Sequence, residues 1–137
     1  MILLDTNVAS ELMKPNTDAA VLSWMETQDL SGLAMTAITV EEITFGLSIL
    51  PVGKRRRGME EAFDLLFHTL PIVSFDEAAA KHSAQYRARR VRAGRVMAIP
   101  DANIAGIALA GGYGLASRDT YAFDDVRIEL IDPWATP

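Results

Sequence analysis

Acidic side chains stand beside short apolar segments at widely separated places in this chain of 137 residues. Asp5 follows the apolar residues 2–4, and Asp119 comes shortly after residues 115–117, of which the first two are apolar. Asp101 follows Pro100 at the predicted start of a helix. Ligands of open α/β sheets bind beyond the carboxyl ends of the strands. If the two apolar segments form neighbouring strands, Asp5 and Asp119 lie at the same edge of the sheet.

A fourth acidic residue is singled out by helical periodicity. The helix predicted over residues 39–50 carries an apolar stripe on one side. The stripe consists of Val40, Ile43, Leu47 and Leu50. Glu41 points nearly opposite the stripe and into solvent, whereas Glu42 lies about 100° from Ile43, at the margin. Gly46 leaves space beside that margin, so Glu42 is the candidate for chemistry and Glu41 is not.

The four acids suggest a binding site for a divalent cation. A buried carboxylate without compensation costs several kcal/mol, and no lysine or arginine adjoins Asp5, Glu42 or Asp101 in the sequence. The chain has no cysteine and only two histidines, which disfavours soft metals and excludes disulfides and thiolate nucleophiles. Carboxylate oxygens suit Mg²⁺ or Mn²⁺.

Each acid also has a simpler interpretation. An aspartate at the end of a strand or the start of a helix often caps a turn, and this applies to Asp101 and Asp119. Asp5 is harder to explain in this way, because residues 2–4 would bury its backbone in the sheet.

Strands and helices alternate along the whole chain, which predicts a parallel sheet covered on both faces. The predicted strands are residues 1–4, 33–35, 72–75, 115–117 and 128–131. Length predicts a single domain over residues 1–137. Half of the residues are hydrophobic and 23% are charged, which excludes a disordered chain.

Charge is distributed unevenly, although the net charge is −5. Residues 54–57 form one basic block, and a second block over residues 87–95 contains Arg87, Arg89 and Arg90. Such blocks are either solvated helix faces or a basic rim beside an acidic centre. The absence of cysteine favours the cytoplasm. The longest uncharged run, residues 102–117, is shorter than the roughly 20 residues that a membrane span needs, so we expect no membrane segment.

Four motifs in this order resemble the PIN-domain ribonucleases, and in particular the VapC-type toxins of bacterial toxin–antitoxin pairs. The motifs are MILLDTN at residues 1–7, TAITVEE at residues 36–42, PDANIAGIA at residues 100–108 and ASRDTYAF at residues 116–123. The closing IDPW at residues 131–134 is similar to the branch whose members pair with ribbon-helix-helix antitoxins.

The resemblance implies a PIN-like α/β fold, a five-stranded parallel sheet flanked by helices on both faces, with Asp5 in the centre. It implies that the catalytic and metal-binding residues of a Mg²⁺- or Mn²⁺-dependent endoribonuclease are Asp5, Glu42, Asp101 and Asp119. Asn7 and Thr120 match positions that often assist in the site. One ion or two, and the identity of the RNA, stay open.

Partners are implied by the same resemblance. They are a cognate antitoxin that inserts a C-terminal segment into the acidic site, a second copy of the chain in a homodimer, and an RNA substrate. Arg87, Arg89 and Arg90 are candidates for contacts with RNA phosphates. The alternative function is a non-catalytic PIN-like protein that acts through its partner and uses the acids only as caps.

Overall fold

Five parallel strands form one sheet in the computed structural model, which describes residues 1–135. The strand order is β3-β2-β1-β4-β5, so the first strand is central. The predicted five-stranded parallel sheet is therefore confirmed. The strands are β1 (Ile2–Leu4), β2 (Leu33–Thr36), β3 (Ile72–Val73), β4 (Gly114–Ala116) and β5 (Leu130–Ile131).

The register of the central strands determines which side chains meet at the carboxyl edge. Leu4 of β1 pairs with Ala116 of β4. The backbone N–H of Asp5 donates to the carbonyl oxygen of Ala116 at 2.9 Å, which continues the pairing one residue further. The first and fourth predicted strands are thus neighbours, and Asp5 emerges beside Ser117.

Six helices cover the two faces of the sheet. They are α1 (Thr6–Leu12), α2 (Ala19–Glu26), α3 (Ala37–Ser48), α4 (Lys54–Thr69), α5 (Glu77–Arg92) and α6 (Ile99–Gly111). Successive strand residues point to opposite faces. Leu3 accordingly packs into a cluster with residues of α5 and α6, while Leu4 packs with residues of α1, α3 and α4. Within the described residues, none of these helices is long and apolar enough to cross a membrane.

Close packing of α5 against α6 depends on one glycine. A Cβ atom at Gly106 would lie 2.4 Å from the carbonyl oxygen of Ala79 and 2.9 Å from the Cβ atom of Ser83. Only a residue without a side chain allows this approach. The contact brings the end of α5 next to the beginning of α6, where Asp101 lies.

Two helices begin earlier than the sequence predicts. α3 begins at Ala37 because the Thr36 side chain caps it and accepts from the backbone N–H of Thr39 at 3.2 Å. α4 begins at Lys54, whereas the sequence predicts a helix over residues 59–70, so the basic residues 54–57 form its first turn. Cations at a helix N-terminus oppose the helix dipole, but Arg56 pairs with Glu60 one turn later.

Candidate active site at the carboxyl edge of the sheet

Asp5 is the most buried of the four acids, with 4% of its surface exposed. It is the N-cap of α1, and its Oδ1 atom accepts from the backbone N–H of Thr6 at 2.8 Å. Its Oδ2 atom accepts from Ser117 Oγ at 2.6 Å and from Asn7 Nδ2 at 3.2 Å. Burial raises the pKa of Asp5 against the lowering effect of these hydrogen bonds, and the charges of Glu42 and Asp119 add to the rise.

Ser117 connects the ends of β1 and β4, and the sequence alone did not identify it. Its hydroxyl donates to Asp5, and it accepts from Asn7 Nδ2 at 3.2 Å and from the backbone N–H of Asp119 at 3.1 Å. A hydroxyl has one donor and two acceptor positions, so all are used. Asn7 Oδ1 in turn accepts from the backbone N–H of Arg118 at 3.2 Å. Ser117 therefore fixes the position of Asp5 relative to the loop that carries Asp119.

Glu42 lies on α3 and is half-buried, while Glu41 is exposed, as the helical periodicity predicts. Its Oε1 atom accepts from Thr6 Oγ1 at 2.7 Å. Thr6 Oγ1 also lies 3.0 Å from Thr39 Oγ1. The hydroxyl of Thr6, which was not predicted as a site residue, thus orients Glu42 toward the end of β1. Open space surrounds Gly46, where a Cβ atom would meet nothing within 4 Å.

Asp101 is the third residue of α6, but it does not cap that helix. The N-cap is Ala98, which makes no side-chain capping bond. Among residues 1–135, the Asp101 carboxylate receives no hydrogen bond within the protein. Burial raises the pKa of Asp101 to about 6, together with the charges of its three acidic neighbours, while Arg90 acts in the opposite direction. The capping interpretation of Asp101 is therefore wrong.

Asp119 is exposed and performs the turn role that the sequence also allowed. Its Oδ1 atom accepts from the backbone N–H of Ala122 at 3.2 Å, which caps the 3-10 turn Thr120–Phe123. One carboxylate oxygen is left for another partner. Thr120 begins this turn, and in the part of the chain described here its side chain makes no hydrogen bond to the four acids.

The four carboxylates share one electrostatic environment. Asp5, Glu42 and Asp119 all contribute to the raised pKa of Asp101. Over residues 1–135, however, no three acidic or histidine side chains are close enough to chelate an ion as they stand. The donor set itself suits a hard dication, because Asp101 is half-buried and unpaired and all four donors are carboxylates. Joint coordination requires the side chains to turn inward or water to complete the shell.

Comparison with known proteins identifies the family. The sequence profile described as PIN domain matches residues 2–129. The chain belongs to the PIN-domain family. The VapC ribonuclease Y4jK of Sinorhizobium fredii is 39% identical, over 98% of each chain. Toxin FitB of Neisseria gonorrhoeae is 34% identical, over 98% of this chain and 99% of the relative. The crystal structure of FitAcB from Neisseria gonorrhoeae superposes with a TM-score of 0.90 at 32% identity, over 99% of this chain and 100% of the other.

One of the predicted RNA-binding arginines is buried in this PIN domain. Arg87 and Arg89 are exposed on α5, but Arg90 is only 3% exposed. Its guanidinium donates to the Tyr86 hydroxyl, to the Ala122 carbonyl oxygen and to Asp125. The expectation that Arg90 serves as a free surface contact for phosphates needs correction, because its donors already have partners inside the protein.

The basic residues 54–57 lie apart from the acids. Lys54 and Arg55 line a cavity of about 550 Å³ between the end of α1 and the start of α4, and none of the four acids lines it. A smaller cavity of about 300 Å³ adjoins the acids instead. Its lining includes Asp101, Asp119, Arg90, Arg95 and Tyr121. This smaller cavity, the "side cavity", lies beside the start of α6 and is lined by two of the four acids.

Proposed function

We propose that this PIN domain is a Mg²⁺- or Mn²⁺-dependent endoribonuclease and the toxin of a toxin–antitoxin pair. The observation that supports the proposal is that Asp5, Glu42 and Asp119 lie near enough to the half-buried Asp101 for their charges to raise its pKa, while no hydrogen bond within residues 1–135 compensates its carboxylate. A purely structural cluster of like charges would cost stability without benefit. Similarity to a VapC ribonuclease and to Toxin FitB supports the same activity.

Asp5 and Asp101 are the proposed principal metal ligands, and Glu42 and Asp119 complete the shell directly or through water. The dication, when bound, supplies the positive charge that allows an anionic phosphodiester to approach four carboxylates, and it activates water for hydrolysis. Ser117 and Thr6 hold Asp5 and Glu42 in place, as outer partners of metal ligands commonly do.

The hydrolysis itself adds the oxygen of water to phosphorus and breaks one bond from phosphorus to a ribose oxygen. Any of the four carboxylates is chemically able to accept the proton of the attacking water.

The proposed partners are a small antitoxin and a second copy of the chain. An antitoxin segment that placed an arginine among the four acids would supply the positive charge that the metal otherwise provides. Inhibition would then compete with metal binding at the same carboxylates.

Substitution of Asp5 tests the proposal. Asp5→Asn removes one ligand charge at nearly constant volume, so we expect RNA cleavage to fall more than about 100-fold while the circular dichroism spectrum stays unchanged. Asp64→Asn, an exposed position on α4, is the matched control and should cleave like the wild type. Mn²⁺ should raise the melting temperature of the wild type but not that of Asp5→Asn.

Three outcomes would contradict the proposal. They are full activity of Asp5→Asn, activity of the wild type that survives EDTA, and absence of metal-dependent cleavage by protein freed from co-purifying partners. The last outcome would favour the non-catalytic interaction protein.

A further inference from the structure

The side cavity has an aromatic wall that the proposed hydrolysis does not use. Tyr121 lies two residues after Asp119 and is 74% exposed. The Arg95 guanidinium carbon lies 5.1 Å from the centroid of the Tyr121 ring, so Arg95 covers one face of the ring. Because most of the ring is exposed, its other face is open to solvent and available for stacking.

The charges that line the side cavity favour a neutral group over a phosphate. Arg95 is paired with Asp124 at 3.1 Å and with Asp125 at 3.4 Å. Arg90 forms an ion pair with Asp125 and donates a hydrogen bond to the Tyr86 hydroxyl. Both cations are thus neutralised by acids of the protein, while Asp101 and Asp119 add negative charge to the lining. Neither cation therefore has a free charge for a phosphate in the side cavity, whereas a nucleobase needs none because its flat face is neutral.

The size of the side cavity also favours a nucleobase. The volume of about 300 Å³ lies at the lower end of the range for small-molecule sites, which suits a single base rather than a longer segment. Bases of single-stranded RNA stack on aromatic side chains and on arginine planes, and they do so only when they are unpaired.

We propose that the side cavity binds the unpaired nucleobase next to the scissile phosphate of single-stranded RNA, stacked on Tyr121. The inference rests on the proposed nuclease function and adds to it a binding position for one base. Duplex RNA is excluded from productive binding, because a paired base cannot leave its stack to enter the cavity without an additional energetic cost. Arg95 holds the tyrosine ring in the orientation that receives the base.

Binding of defined RNA probes tests this assignment. The probes are fluorescein-labelled oligo(rA), oligo(rU) and a strand of abasic ribonucleotides of equal length, and anisotropy is measured with Asp5→Asn protein, in which cleavage is expected to be absent. Tyr121→Ala in this background should weaken binding of oligo(rA) about 5- to 150-fold, the range for loss of one stacked base. It should leave the already weak binding of the abasic strand unchanged.

Control variants separate stacking from local damage. Tyr121→Phe keeps the ring and should bind oligo(rA) like the parent. Leu65→Ala removes an equally exposed side chain from α4, 72% exposed, and should have no effect. In the cleaving protein, an abasic ribonucleotide next to the cut bond should reduce kcat/KM for wild type but not further for Tyr121→Ala.

The possible results distinguish the two proposals. Equal loss of binding to oligo(rA) and to the abasic strand in Tyr121→Ala overturns the base-binding site, and so does unchanged binding to both. If Tyr121→Ala weakens the antitoxin complex but not RNA binding, the cavity is a protein contact and the inference is also wrong. Wild-type protein that binds RNA through Tyr121 but never cleaves it would instead refute the nuclease and leave the base-binding site standing.

Discussion

Two charged regions meet at the side cavity, and they are balanced in opposite ways. The first, the acidic edge, is the set of four carboxylates Asp5, Glu42, Asp101 and Asp119. The second, the arginine network, joins Arg90 and Arg95 to Asp124, Asp125 and Tyr86. The acidic edge has no cation among its hydrogen-bond partners in residues 1–135, whereas the arginine network pairs each charge with an opposite one.

The same residue type consequently has opposite pKa shifts in the two regions. Burial alone would raise the pKa of Asp125, but hydrogen bonds from Tyr86 and Arg90 hold this pKa below its ordinary value. Burial and like charges raise the pKa of Asp101 to about 6. The arginine network therefore compensates its charges inside the protein, while the acidic edge leaves its like charges uncompensated, as expected for the proposed cation site.

Removal of Arg90 should produce the largest effect on stability. Arg90→Met preserves much of the side-chain volume but removes the buried cation from Asp125 and the guanidinium donor from the Tyr86 hydroxyl and the Ala122 carbonyl oxygen. We expect the free energy of unfolding to fall by about 3 kcal/mol in urea denaturation, the lower end for a broken buried pair, because Asp125 is 38% exposed.

The exposed neighbour Arg87 provides the matched control for Arg90. Arg87→Met should change the free energy of unfolding by less than about 0.5 kcal/mol. An equal loss in both variants would mean that the arginine network is not the source of the stability.

Ser117→Ala should have the next largest effect. We expect it to lower the rate of RNA cleavage and to leave the fold intact. Loss of the hydroxyl frees Asp5 to rotate, so cleavage should fall about 10- to 100-fold. Because the Ser117 hydrogen bond lowers the pKa of Asp5, its loss raises that pKa and moves the acid limb of the pH–rate profile to higher pH. Ser48→Ala, a surface serine on α3, serves as control; a pH–rate profile identical to wild type would refute the role of Ser117.

Asp101→Asn should have the smallest effect on stability, and its sign should be opposite to that of Arg90→Met. Without metal, it removes like-charge repulsion, so the free energy of unfolding above about pH 7 should rise by roughly 1 kcal/mol, allowing for solvent screening. Between the ordinary pKa of 3.8 and about 6, the folded wild type holds a proton that the unfolded chain releases. Wild-type stability therefore decreases as pH rises through this interval, and Asp101→Asn should flatten the decrease.

Urea denaturation in EDTA across this pH range measures the difference. Asp64→Asn is again the control, since its side chain lies on the exposed face of α4. Destabilisation of Asp101→Asn under these conditions would show that Asp101 makes a favourable contact in the folded protein and is not part of a repulsive cluster.

Much of the fold followed from the sequence, because apolar runs and helical periodicity depend on local chemistry. The five strands and the half-buried position of Glu42 are of this kind. The early start of α4 was missed, because cations in a first turn normally oppose the helix dipole and the pairing of Arg56 with Glu60 offsets this.

The contacts within the site could not be predicted from the sequence, because they join residues that only the folded structure brings together. Ser117 stands 112 residues from Asp5, and although it ends a predicted strand, nothing local indicates that its partner is Asp5. Thr6 was within a recognised motif, yet its contact with Glu42 depends on how α1 packs against α3. Arg90 is buried among exposed arginines because the face of α5 that carries it packs against the 3-10 turn Thr120–Phe123.

The central place of β1 between β2 and β4 has a consequence for folding. Asp5 and its hydrogen-bonded neighbour Ser117 are 112 residues apart in the sequence, at the ends of two strands that pair side by side. Parallel pairing between such distant segments is slow to form, because a long loop must close before the contacts are gained. A partly folded chain in which β4 has not joined β1 therefore lacks the bond between Ser117 and Asp5, and the acidic edge is completed only together with the sheet.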